Sequence, residues 1–385
     1  MKGYVTIEAG TVKSNVQSKP LVSVIVPTYN TERYLDQALD SLESQTLHNI
    51  EILCVNDGST DGSRDIMEAH AKRDERIRVI DKPNGGYGSA CNRGLDEAKG
   101  TWIAILEPDD WIEPDMFKDL TEFAASFSEE IDIVKSAYWR IWMPDTAKQV
   151  KLNCSYKSRI KPKSQPFQIT DPGVVHILCH HPSIWSALYR RDFLNDCNIR
   201  FPEIPGAGWA DNPFLAETMC QAKNIIYLDK AYYCYREETP EKAAAFAHRN
   251  TLLPIERWHD MLDVYERLGV DDEGIMRAHN SRGFTYISGI IEEVDLSHDD
   301  VLEAVISVFN RMDDDLVFSD PEISPGWKTK YAELKGVELP DIDRASYAKG
   351  LINAGIYNIT NTNVKHTFFA TTNYLKKHKR REGRK

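Results

Sequence analysis

The sequence contains no run approaching about 18 uninterrupted apolar residues, and acidic Glu8 sits where a leader would carry its apolar core, so neither a membrane span nor a secretory leader is expected. It has no CxxC pair. Its seven cysteines, an odd and scattered set, point to reduced thiols in a cytoplasmic setting rather than to a disulfide framework. Positive charge is scarce: 47 Lys and Arg against 59 Asp and Glu leave a formal charge of -12, which argues against a general nucleic-acid binder. No repeat recurs at about 20–50 residues, which excludes a solenoid. Asn84-Gly85-Gly86-Tyr87-Gly88 is glycine-rich but lacks the Gly-Lys-Ser/Thr ending of a phosphate-binding P-loop.

What is present is a 385-residue chain, 42% apolar, long enough for a large core and for two structural units or one domain with an appendage. We divide it into an N-terminal arm at 1–20, an α/β unit at 21–240 and a mainly helical region at 241–385. The chain ends in a basic tail, Lys376, Lys377, Lys379, Arg380, Arg381, Arg384 and Lys385 against Glu382 alone. Such a tail is either solvated or docks peripherally on anionic lipid. Two glycosylation sequons, at Asn153 and Asn358, are read as chance matches in a chain without a leader.

From Leu21 onward, short β-branched runs alternate with amphipathic segments. Val22 to Val26 reads as a strand, followed by a helix capped at Thr31 that buries Leu35, Ala38, Leu39 and Leu42. Further strands are expected at Glu51–Val55, Ile77–Ile80 and Trp102–Leu106, with helices ending near Ala69 and Ala98. Alternation of this kind predicts a mostly parallel sheet flanked by helices on both faces. Ligands of such sheets bind beyond the carboxyl ends of the strands, and the polar clusters all fall there. A Lys-rich loop at 157–163 and an apolar segment at Val174–Leu178 follow. Past residue 240, Trp258, Met261, Leu262 and Tyr265 recur at helical spacing and read as a packing stripe.

The most informative cluster is Glu107-Pro108-Asp109-Asp110, three carboxylates directly after a buried strand. Their repulsion calls for a counter-charge, and a divalent cation supplies one with oxygen ligands. The competing reading is that they cap the next helix. A nucleoside diphosphate poses the complementary problem, because its phosphates leave more readily once neutralised. Asp57 is suited to accept from a nucleobase imide or a ribose hydroxyl, or alternatively to close its own turn onto Ser59. His176, Cys179, His180 and His181 do not make a convincing zinc set, since adjacent histidines do not readily share a tetrahedral site.

Four segments in order, Val24-Ile25-Val26-Pro27-Thr28-Tyr29-Asn30, Val55-Asn56-Asp57-Gly58-Ser59-Thr60-Asp61-Gly62-Ser63, Asn84-Gly85-Gly86 with Asn92-Arg93-Gly94, and Glu107-Pro108-Asp109-Asp110-Trp111, resemble the family-two glycosyltransferases of the GT-A fold. The resemblance implies a Rossmann-like, mostly parallel sheet and an inverting transfer of sugar from a nucleoside diphosphate, favouring UDP-sugars, to a hydroxyl of a glycan or glycolipid acceptor. It implies a base and ribose pocket at Pro27, Thr28 and Tyr29, a nucleoside contact at Asp57, a donor-side turn at Asn84, and Glu107 near the ribose and sugar. Asp109 and Asp110 would hold Mn²⁺ or Mg²⁺. Glu107 stands where the family more often has Asp, and Pro108 replaces a small residue. The base would be Asp211, in Ala210-Asp211-Asn212-Pro213-Phe214, where Ala210 departs from the acid that often precedes it. Trp185 would line the acceptor path, with simple core packing the competing reading, and Arg236, ending Tyr232-Tyr233-Cys234-Tyr235, would reach the diphosphate, with an ordinary surface salt bridge the competing reading.

The resemblance further suggests bacterial surface-polysaccharide synthesis at the inner face of the cell membrane. The C-terminal region is left to hold acceptor, a partner subunit in a homo-oligomer, or membrane. Two rival readings remain, a degenerate nucleotide-sugar or carbohydrate binder and a nucleotidyltransferase. The second would want a basic, Gly-rich triphosphate loop near the N-terminus.

Overall fold

The structure, a computed structural model, describes residues 19–156, 160, 165–206, 208–237, 251–294 and 296–361. The basic tail, residues 1–18 of the arm and nearly all of the Lys-rich loop lie outside the described residues.

The chain starts with β1 (Val22–Thr28), buried along its whole length, and α1 (Leu35–Glu43), which buries the expected Leu35, Ala38, Leu39 and Leu42. Thr31 does not cap α1 with its side chain; its carbonyl instead accepts from Tyr34 and Leu35, and its N–H donates to the Ser63 hydroxyl at 2.9 Å. β2 (Ile50–Asn56), α2 (Ser63–Arg73), β3 (Ile77–Asp81), α3 (Tyr87–Glu97) and β4 (Trp102–Ile105) follow in the expected alternation. β1 pairs in parallel with β2 and β4, and β2 with β3. A Cβ on Gly94 would lie 2.4 Å from Ile25 Cγ2, so only glycine lets α3 pack this closely on β1.

Beyond β4 the sheet becomes mixed. β5 (Trp111–Ile112), α4 (Met116–Ala125), β6 (Ile133–Trp142), β7 (Val150–Cys154), β8 (Ala187–Arg190), α5 (Arg191–Asp196), α6 (Asp211–Gln221) and β9 (Ile225–Arg236) complete it in the order β3-β2-β1-β4-β8-β6-β9-β5, with β7 beside β6. β8 is antiparallel to both β4 and β6, whereas β6 and β9 run parallel. The apolar segment expected near 174–178 is a 3₁₀ turn, Val175–Cys179.

The remaining elements are helices: α7 (Leu253–Leu268), α8 (Glu273–Glu293), α9 (Asp299–Arg311), α10 (Asp314–Ser319), α11 (Pro325–Lys335) and α12 (Arg344–Asn361). α7 packs on α6 and α8 packs on the 3₁₀ turn, so the helical region lies directly against the α/β unit. Trp258, Met261, Leu262 and Tyr265 are buried, and each large apolar side chain so buried contributes about 1.5–3 kcal/mol. No helix among the described residues is long and apolar enough to cross a membrane. No disulfide forms among the described residues, which include all seven cysteines.

Candidate active site

The carboxyl ends of β1, β2 and β4 open into one cavity of about 270 Å³. Pro27, Thr28, Tyr29, Asp57, Asn84, Glu107 and Asp109 line it, so seven residues expected from sequence to touch a donor share one space. Tyr29 is 49% exposed at its rim. Thr28 is fully buried and its hydroxyl donates to the Val26 carbonyl.

Asp57 builds the floor. Its Oδ1 accepts from Lys82 Nζ at 2.5 Å and from Gly85 N at 2.9 Å, while Oδ2 accepts from Gly86 N at 2.9 Å. Asn84 Nδ2 donates to the Asp57 carbonyl at 3.0 Å. The aspartate thus closes the Asn84-Gly85-Gly86 turn rather than bonding Ser59, whose N–H goes to Asn56 Oδ1. Gly86 has φ +88°, and a Cβ there would meet the Ile204 carbonyl at 2.3 Å, so the turn tolerates only glycine. Asn92 fixes the opposite wall by exchanging two hydrogen bonds with the Phe201 backbone, both 2.9 Å. The separated motifs around residues 92 and 201 are therefore one contact.

The three acids divide their work. Glu107 accepts from Tyr87 Oη at 2.6 Å, and burial, with the charges of Asp109 and Asp211 nearby, raises its carboxyl to about 8. Asp109 lines the cavity. Asp110, expected to share a metal with it, does not line the cavity. Its oxygens accept from Tyr233 Oη at 2.8 Å and from Arg236 N at 2.6 Å, and burial pushes its carboxyl well up. It ties the acidic loop to β9, because a buried carboxyl so placed is satisfied internally.

Arg236 likewise departs from expectation. Its guanidinium donates to the Asp109 carbonyl at 2.7 Å, Asp145 Oδ2 at 2.5 Å and Gln37 Oε1 at 2.5 Å, between the rings of Tyr34 and Trp111. Each of the three nitrogens makes a hydrogen bond within the protein, so in this conformation Arg236 braces the acidic loop. Trp185 is buried and stacked on Tyr233, centroids 4.0 Å apart, and on Tyr235 at 5.4 Å. Of the two readings open from sequence, this burial favours packing in the core.

Asp211 begins α6. Burial raises its carboxyl to about 6, with the Arg282 charge opposing that rise. It lies near enough to Glu107, Tyr87 and Cys91 for its charge to act on each. The histidines around residue 180 form no three-ligand set among the described residues. His176 and His180 touch through their Nε2 atoms, and burial holds His181 down at about 3. Among the described residues, the one group whose ligand atoms converge, Asp40, Glu43 and His70, lies outside the cavity lining and is bridged by Arg73, 2.5 Å from Asp40 and 3.0 Å from Glu43.

Sequence reasoning missed Lys82, Tyr87 and Arg282. The first two flank the Asn84-Gly85-Gly86 turn and were open to notice. Arg282 carries no local signal.

Residues 23–197 match the family described as Glycosyl transferase family 2. The chain is 36% identical over 242 residues to the uncharacterized glycosyltransferase EpsJ of Bacillus subtilis, covering 60% of this chain and 66% of that protein. It is 32% identical over 219 residues to the minor teichoic acid biosynthesis protein GgaB of Bacillus subtilis, covering 56% and 23%. The chain therefore spans under two thirds of the length of these curated relatives. Its fold matches that of S. aureus TarS residues 1–349 in complex with UDP, with TM-score 0.59 and 22% identity, covering 81% of this chain and 88% of the other. The four matched motifs, the cavity they enclose and these likenesses agree: residues 23–197 carry the family-two glycosyltransferase segment, and the chain has the GT-A fold.

Proposed function

We propose that the protein is an inverting glycosyltransferase that moves a sugar from a nucleoside diphosphate, with UDP the favoured nucleotide, to a hydroxyl of a glycan or glycolipid acceptor. The observation that carries the reading is the pairing of the cavity, lined by Glu107 and Asp109, with Asp211, a carboxylate poised near pH 6 beside it. The TarS complexes with UDP and UDP-GlcNAc favour a UDP donor, and GgaB favours a surface-polymer acceptor.

In this reading Tyr29 stacks on the base at the rim while Pro27 and Thr28 wall the nucleoside. Asp57 has used three of roughly four acceptor positions, so one remains for the nucleoside, and its larger task is to hold the turn in shape. Glu107, kept in place by Tyr87, faces the ribose and sugar. The residues fit a divalent cation: the charge of Asp109 raises the proton affinity of Glu107 beside it in the cavity, and the donor set is all oxygen. Asp109 would hold Mn²⁺ or Mg²⁺, which when bound supplies positive charge to the departing diphosphate. Asp110 and Arg236 serve by fixing the loop that presents Asp109.

Asp211 takes the proton from the acceptor hydroxyl as its oxygen bonds to the anomeric carbon. The bond from that carbon to the diphosphate oxygen breaks on the opposite face, and the nucleoside diphosphate leaves. A base of pKa near 6 is mostly ionised at neutral pH yet still basic enough to accept the proton. We place the reaction at the inner face of the cell membrane, with the domain boundary near residue 240 and the basic tail as its lipid contact.

The test is thermal unfolding with UDP, UDP-GlcNAc and UDP-glucose, each with and without Mn²⁺, followed by donor hydrolysis. Metal-dependent stabilisation with turnover supports the proposal. Stabilisation without turnover supports the degenerate binder, and no response to any nucleotide sugar refutes both.

A further inference from the structure

The side chain of Arg282, from the middle of α8, is buried against the α/β unit. Its Nη2 donates to the carbonyls of Leu178 at 2.5 Å and His180 at 2.7 Å. Its Nη1 donates to Asn212 Oδ1 at 3.1 Å and to Tyr286 Oη at 2.9 Å, and Tyr286 Oη donates in turn to Asn212 Oδ1 at 2.8 Å. A guanidinium has no acceptor, so the Asn212 atom facing it must be the carbonyl oxygen. That assignment turns the Asn212 amide NH₂ toward Asp211, whose Oδ1 it meets at 3.2 Å. A second buried arginine, Arg257 of α7, grips the preceding loop through the Gly208 carbonyl at 3.0 Å.

We infer that Arg282 is a positioning residue for the base: through Asn212 it orients the Asp211 carboxylate, so the C-terminal helices complete the catalytic centre rather than merely flank it. The inference rests on Asp211 being the base. Groups of one element that orient a reacting group on another are often as necessary as the group itself. Arg282 is also the cation whose charge favours the ionised carboxylate. The other groups facing Asp211 are Tyr87 and Cys91 of α3, Glu107 after β4, Tyr189 of β8 and Tyr286 of α8, none of them cationic.

The experiment titrates Asp211 in the full chain by carboxyl NMR, assigned by its loss in Asp211→Asn, and needs no substrate. In the parent protein the resonance moves with a midpoint near 6. In Arg282→Gln the ratio of ionised to protonated Asp211 at pH 6 falls by about tenfold or more. Arg282→Lys keeps the charge but loses the fork, and is the readable variant should the glutamine not fold; it gives a smaller change in the same direction. The acid limb of UDP-sugar hydrolysis moves with the midpoint while the KM for donor stays unchanged. An Asp211 midpoint unmoved in a folded Arg282 variant overturns the inference. Full hydrolysis by Asp211→Asn would instead refute the assignment of the base, a separate failure.

Discussion

Replacing Asp57 by asparagine separates a turn that is held from a ligand that is touched. In the native protein the carboxylate faces three donors, Lys82 Nζ at 2.5 Å and the N–H groups of Gly85 and Gly86 at 2.9 Å each. Asparagine has one acceptor oxygen, which the Lys82 and Gly85 side retains, so its NH₂ must face the Gly86 N–H. Lys82, with only 16% of its side chain exposed, loses its counter-charge. Breaking a fully buried pair costs about 3–5 kcal/mol, and the remaining exposure of Lys82 reduces that to about 2–3 kcal/mol. At an unfolding entropy of about 2.1 cal/mol/K per residue, a chain of 385 residues shifts by roughly 1.2 °C per kcal/mol, so Asp57→Asn lowers the Tm by about 2–4 °C. Scanning calorimetry reads this directly, and Asp57→Asn with Lys82→Met recovers part of the loss, because the orphaned charge goes too. An unchanged Tm with lost UDP binding would refute the reasoning, since the carboxylate would then serve ligand alone.

Asp211→Asn lowers turnover by about 10²–10⁴-fold with donor binding preserved, measured by single-turnover transfer and UDP titration. In the parent enzyme, activity falls as pH drops through about 6, where Asp211 becomes protonated and can no longer accept a proton. Asp109→Ala abolishes the Mn²⁺ dependence of UDP stabilisation at little cost in basal Tm. Asp110→Ala strands the Arg236 N–H and lowers unfolding free energy by about 1–3 kcal/mol in urea titration. Lys135, fully buried against Ser183 and Ser186, is depressed to about 7 from 10.5 by burial. The unfolded chain binds its proton more tightly, so its contribution to stability rises with pH from about 7 to 10.5. Relative to Lys135→Met, the parent gains about 1.4 kcal/mol per pH unit between pH 8 and 10 in denaturant titrations.

Local pattern was sufficient for the first half of the fold and for which residues meet at the carboxyl ends of its strands. The runs Val22–Val26, Glu51–Val55 and Trp102–Leu106 are β-branched or apolar and short, which dictates buried strands, and parallel strands must send their loops to one end. Pro27, Thr28, Tyr29, Asp57, Asn84, Glu107 and Asp109 therefore meet in one cavity although 82 positions separate the first from the last. What pattern alone could not decide was which carboxylates and cations face the cavity. Asp109 and Asp110 are adjacent and chemically alike, yet opposite sides of one loop leave the first at the cavity and bury the second under Tyr233 and Arg236. Trp185 and Arg236 have partners supplied by distant strands and loops, and Arg282 reaches Asn212, next to Asp211, from 70 residues away. A side chain's donors and its desolvation come from whatever packs against it, and that is a property of tertiary structure with no signature in neighbouring residues.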